Sequence, residues 1–144
     1  MSAYHFINPA MIKLLRSPGH RVMSKRIMIV SYRGRKSDKD YDTPVSYYRD
    51  GDTVYCFTNG VWRHNFIEPR QASLRIAGRD YEATGHLFDG SREQQTELMS
   101  EYFKAVPQDK KFYGVHCDSE GEPITAQVEQ ATYAVVAIEF TLQR

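Results

Sequence analysis

The segment SYRGRKSDKDYDTPV, residues 31–45, sets Arg33, Arg35, Lys36 and Lys39 into a polar bend between two stretches rich in β-forming residues. Guanidinium and ammonium groups beside exposed backbone N–H groups suit the capture of phosphate or carboxylate through charge-assisted hydrogen bonds. The same composition also serves a solvated turn that keeps a sheet edge soluble. The distribution of charge along the chain favours the first use. Residues 1–40 carry nine Lys and Arg against Asp38 and Asp40 alone, net +7, whereas the whole 144-residue chain is only +1. A polarised field of this kind draws anionic ligands even where the total is near neutral.

Other chemistries find less support. His5, His20, His64, His86 and His116 show no metal-ligand spacing, and no metal site is expected. Cys56 and Cys117 stand far apart without a CxxC pattern, which suits reduced thiols. No nucleophilic triad or paired carboxylates stand out. No run reaches the ~18–20 apolar residues of a membrane span, and MSAYHFINPAMIKLLRSPG lacks a signal-peptide core, so a cytoplasmic protein without stable membrane insertion is expected. The aromatic residues form no recognisable nucleic-acid stacking platform, and no nucleic-acid partner is expected. With 41% hydrophobic and 26% charged residues, the chain reads as one domain over 1–144.

The elements that must position the bend follow from period and turn chemistry. Asn8-Pro9 and Ser17-Pro18-Gly19 bracket a short amphipathic helix carrying Met11, Leu14 and Leu15. Strands are expected at 26–32, 43–49 and 53–58, with Asp50-Gly51 as a hairpin turn. VWRHNF, residues 61–66, is too short to classify by period and suits one helical turn. Residues 73–88 read as strand, Ala77-Gly78 turn and strand. Ser91 and Gln94 form a capping-box pattern opening a helix over about 91–105, ended by Pro107. The polar stretch 107–125 reads as an insertion or lid. Residues 133–142 alternate as a strand whose even-numbered face, Ala134 to Leu142, is expected in the core. Tyr41, Tyr47 and Tyr48 are expected to fill two-sided strands. Six strands, several apolar on both faces, imply a mainly β fold of the α+β type, an antiparallel six-stranded barrel with short flanking helices.

The order of GRKS, a strand opening TPV, an RDGD hairpin and TNGVWRHN resembles the deazaflavin-dependent nitroreductase family, over about residues 26–88 and more weakly to the last strand. The resemblance implies a split β-barrel of the flavin-binding, pyridoxamine-phosphate-oxidase-like type. It implies 8-hydroxy-5-deazaflavin, coenzyme F-420, as cofactor, and hydride transfer to or from a small-molecule acceptor, quinone-like, nitroaromatic or otherwise conjugated. On this likeness Arg35, Lys36 and Ser37 match the phosphate-holding loop, Thr43-Pro44 the strand entry beside it, and Asn59-Gly60, Trp62 and Asn65 the segment bordering the ring. His64 lies beside that segment and is a candidate proton donor. Asp38 stands where the family motif continues with glycine. Aspartate tolerates a left-handed turn better than most residues, but its carboxylate sits where an anion is expected. The same barrel with flavin mononucleotide (FMN), or as a non-catalytic carrier of a cofactor or lipid, stays open, as does the choice between monomer and homodimer.

Overall fold

The computed structural model describes residues 27–143. The helix expected between Asn8 and Ser17 therefore lies outside the described residues. β1 (Ile27–Arg33), β2 (Asp40–Asp50), β3 (Thr53–Thr58), β4 (Arg70–Ile76), β5 (Arg79–Leu87) and β6 (Val136–Leu142) close into a barrel in the order β1-β2-β3-β6-β5-β4. Every pairing is antiparallel, and β1 returns to β4 with Ser31 opposite Ser73. Closure leaves no open sheet edge, as the two-sided strands require. Two-residue turns at Gly51-Asp52 and Ala77-Gly78 set the registers of their hairpins, with Asp50 opposite Thr53 and Ile76 opposite Arg79.

Side chains alternate across the barrel wall. Met28, Val30 and Tyr32 point inward with Val54, Cys56, Leu74, Ile138 and Phe140, and this interior is sealed from solvent. Part of the outward face is apolar and covered by helices. Phe57 of β3 and Ala137 of β6 meet Met99, Tyr102 and Phe103 of α1 (Arg92–Ala105) and Val128 and Ala131 of α2 (Thr125–Ala131). Helix α1 begins as its sequence dictates, with reciprocal hydrogen bonds between Ser91 and Gln94 completing the capping box.

Two expectations need correction. Residues 107–125 are not a loose insertion. They contain a 3-10 helix (Pro107–Tyr113), a bridge between Cys117 and Pro123, and α2 from Thr125 onward. Their anchors are apolar and polar: Val115 is buried against α1, and the Tyr102 hydroxyl donates to the buried Asp109 carboxylate. The last strand also starts later than its alternation suggests. Tyr133 and Ala134 are held in the turn ending α2 by N–H donation to Gln130 and Ala131 carbonyls, so Ala134 is exposed while Ile138, Phe140 and Leu142 are buried. No helix among the described residues is long and apolar enough to cross a membrane.

Candidate functional site

The β1–β2 bend and the β3–β4 connection lie at the same end of the barrel, because β1 and β4 are antiparallel neighbours. Within the bend, the Gly34 N–H donates to the Lys39 carbonyl at 2.8 Å and the Asp38 N–H to the Gly34 carbonyl at 3.1 Å. Asp38 takes the left-handed conformation, φ 57°, which a short polar side chain tolerates. Gly34 is buried, and a Cβ there would lie 2.7 Å from both Ser37 Oγ and Tyr41 Cε2. The Ser37 hydroxyl shares a 2.9 Å hydrogen bond with the Tyr41 hydroxyl and accepts from the Lys39 N–H, so it is committed to the bend itself.

Asn65 ties this bend to the connection after β3. That connection contains a 3-10 helix, Val61–Phe66. The Arg35 N–H donates to Asn65 Oδ1 at 2.8 Å, and Asn65 Nδ2 donates to the Trp62 carbonyl at 2.9 Å. Arg70 adds a second tie through 3.0 Å bonds to the carbonyls of Asn65 and Arg33. Thr58 fixes the indole. Its hydroxyl accepts from Trp62 Nε1 at 3.1 Å and from the Gly60 N–H at 2.9 Å. The indole folds back so closely that a Cβ on Gly60 would meet Trp62 Cδ1 at 2.7 Å. Arg63 turns onto its own loop, donating to the carbonyls of Asn59 and Gly60.

An aromatic stack runs from the rim into the core. Tyr41 lies over Tyr32 at 5.7 Å and Tyr32 over Trp62 at 5.8 Å. Both then meet Phe66 edge-on, and Phe66 meets Phe140 deep in the barrel. Burial raises the Tyr32 phenol above its ordinary range, with a hydrogen bond to Thr43 pulling the other way. Outside the stack, Val61 and Ile67 are 77% and 56% exposed. They present apolar surface on the same segment as the half-buried Trp62.

The expected site residues thus divide by what they touch. Arg35 and Lys36 are exposed, and neither forms an ion pair with any described residue. The N–H groups of Lys36 and Ser37 likewise have no acceptor among the described residues. Trp62 and His64 share the 3-10 helix at the rim. Asn65 and Gly60 shape the site from behind. Asn59 is exposed but lends its carbonyl to Arg63. Thr43 and Pro44 are buried in β2, opposite Val30 and Ile29. Tyr41, expected as a strand filler, is instead 41% exposed at the rim. Thr58, Tyr32, Phe66 and Arg70 carry the local geometry without a sequence signal of their own. Beside the bend, a groove of about 260 Å³ runs over the outer strand face, lined in part by Arg33, Asp40, Tyr41, Asp42 and Glu82.

Two cations and two N–H donors lacking described partners, set beside a flat aromatic face, form a donor set that fits a planar, anion-tailed cofactor. No protein-family model matches the chain, and no curated protein matches its sequence. Solved structures do match its shape. One is a protein related to general stress protein 26 of B. subtilis, of the pyridoxinephosphate oxidase family, from Clostridium acetobutylicum; it is 14% identical, with TM-score 0.57, covering 90% of this chain and 84% of that one. Another is an F420-H2-dependent reductase, 12% identical, with TM-score 0.52 and coverage of 82% and 94%. A third, a FAD-binding protein from Mesorhizobium loti, is 9% identical, with TM-score 0.51 and coverage of 100% and 91%. The chain has the split-barrel fold of the pyridoxamine-phosphate-oxidase type, as its strand order and the first of these matches show.

Proposed function

We propose that the protein is an oxidoreductase that passes hydride between a flavin-type cofactor, deazaflavin or FMN, and a conjugated acceptor such as a quinone or nitroaromatic. The observation that carries the reading is the Asn65 clamp, which holds the cationic bend and the Trp62 face at one barrel end. The GRKS to TNGVWRHN resemblance supports it, and so does the fold shared with an F420-H2-dependent reductase and a FAD-binding protein.

When bound, the reduced ring supplies the hydride, so the chain needs no nucleophile of its own. Arg35, Lys36 and the N–H groups of Lys36 and Ser37 would hold the anionic tail. Trp62, locked by Thr58, would offer the ring a rigid apolar face, and the exposed Val61 and Ile67 would add apolar surface that limits water there. His64, on the same short helix, is the candidate proton donor for the acceptor.

Titration of the purified protein with FMN and, separately, with coenzyme F-420, followed by cofactor absorbance, tests the reading. Saturable binding of at least one, then quinone-dependent oxidation of its reduced form, is expected. Binding of neither overturns it.

A further inference from the structure

The two cysteines sit in opposite surroundings. Cys56 is fully buried inside the barrel, where burial pushes its thiol up and reagents do not reach it. Cys117 is exposed, in the connection between β5 and β6, and its sulfur lies 2.6 Å from Lys110 Nζ. That separation is shorter than an ordinary N–H···S hydrogen bond and close to the span of one oxygen atom bonded to both. Lys110 forms no ion pair with any described residue. The carboxylates close to the pair in sequence are engaged elsewhere: Asp109 accepts from the Tyr102 hydroxyl, Asp118 from the N–H groups of Glu120 and Glu122, and Glu122 pairs with Lys104 at 3.2 Å. The next lysine, Lys111, turns onto the Phe112 ring instead, at 5.3 Å.

Backbone contacts hold both members of the pair. The Lys110 carbonyl accepts from the N–H groups of Gly114 and Val115, and Gly114 takes the left-handed conformation, φ 68°, that turns the chain back. Val115 is buried beneath this turn. Cys117 pairs with Pro123, and its neighbour His116 donates its N–H to Gln127 Oε1 at 2.7 Å and accepts from the Ile124 N–H at 2.9 Å. An amine and a thiol held in contact react as an intramolecular pair, at an effective concentration far above that of free reagents.

We infer that Lys110 and Cys117 form a redox-modification site, joined by hydrogen peroxide through a covalent N–O–S bridge. In the first step the Cys117 sulfur gives an electron pair to one peroxide, whose O–O bond breaks; an S–O bond forms, water leaves, and the product is a sulfenic acid. In the second, once the ammonium has released a proton to solvent, the sulfenic oxygen bonds to Lys110 Nζ. The sulfenic O–H and one N–H break, and their two protons and two electrons reduce a second peroxide to two waters. Two equivalents of a dithiol return the thiol, the amine and one water. The bridge staples the 3-10 helix Pro107–Tyr113 to the turn closed by Cys117 and Pro123. It involves no cofactor and stands apart from the flavin-type reading.

The test treats the purified full chain with hydrogen peroxide and then digests it with trypsin for mass spectrometry. Lys111 lies between the two residues, so cleavage after it leaves them on separate peptides that only the bridge holds together. A linked pair heavier than its two peptides by about 14 Da, one oxygen gained and two hydrogens lost, is expected, and a dithiol should release it. Lys110→Arg keeps a positive charge beside the thiol and should give no linked pair, with Cys117 passing on to sulfinic acid. Cys117→Ser should abolish the link as well, and Cys56 should stay unmodified throughout. Wild-type Cys117 that stays unmodified, or that reaches sulfinic acid without a linked pair, overturns the inference. So does a link that persists in Lys110→Arg, or one lighter by about 2 Da, which marks a direct S–N bond.

Discussion

The Arg35 backbone N–H and the Asn65 side chain meet at 2.8 Å, and through the other end of the same amide Asn65 holds the Trp62 carbonyl at 2.9 Å. One side chain thereby joins the cationic bend after β1 to the aromatic helix after β3. The two halves of the candidate site are positioned together rather than each by its own loop.

Removing that amide should separate them. Asn65→Ala is expected to lower stability by about 1–3 kcal/mol, the usual sum for two partly exposed hydrogen bonds, and to weaken FMN binding as well. Urea unfolding and flavin titration of the same preparation measure both. Wild-type affinity in a measurably destabilised variant would show that the amide serves the fold alone.

Lys36 forms no ion pair with any described residue, so its loss should be felt by ligand and not by fold. Lys36→Ala is expected to cost roughly 1.5–3 kcal/mol of binding, about ten- to a hundredfold, with the loss shrinking as salt is added. Its melting temperature should stay close to wild type. Calorimetric titration at low and high salt checks the first point, and a variant that binds as well as wild type counts against a ligand role for the bend.

Facing in β6 gives a sharper stability test. Ile138 is fully buried inside the barrel, while its neighbour Glu139 points outward and pairs with His86 at 3.1 Å. Ile138→Asp places an unpaired charge in the core at a cost of several kcal/mol, against a total stability of about 5–15 kcal/mol, and should unfold the protein. Glu139→Lys loses a half-exposed pair and should cost about 1 kcal/mol or a little more. Similar melting temperatures for the two would contradict the observed register.

Alkaline pH should loosen the helical layer before it touches the charged rim. Burial, with the nearby Asp109 carboxylate adding to it, pushes Tyr113 up to about 12, and burial together with Asp109 raises Tyr102 further still. An unfolded tyrosine titrates near about 10, so the unfolded chain releases these protons first and stability falls as pH rises above that value. Melting temperature should hold steady to about pH 9.5 and then drop, and Tyr113→Phe should flatten part of the drop. An unchanged alkaline slope in that variant would place the cause elsewhere.

Most strands and helix α1 were legible because their signals are local: alternation, hairpin turns and the Ser91–Gln94 capping box. The cations of the bend were legible for the same reason. The clamp was not, since the bonds that make it join residues 30 and 37 positions apart and leave no periodic trace. Thr58 was equally silent, because a threonine closing a strand looks the same whether or not it holds an indole. Helix α2 escaped notice because its seven residues bury only Val128 and Ala131, too few to set a period, and its final turn absorbed the start of the expected last strand.

Trp62 is the only tryptophan in the chain, so its emission reports on the proposed ring site without interference from another indole. Titration with FMN, with occupancy followed independently through the flavin absorbance, should quench that emission saturably and in step with binding, because the proposed site sets the ring against the indole face fixed by Thr58. Emission that stays unchanged at full occupancy would mean that the flavin binds elsewhere, and would contradict the assignment of this barrel end as the cofactor site.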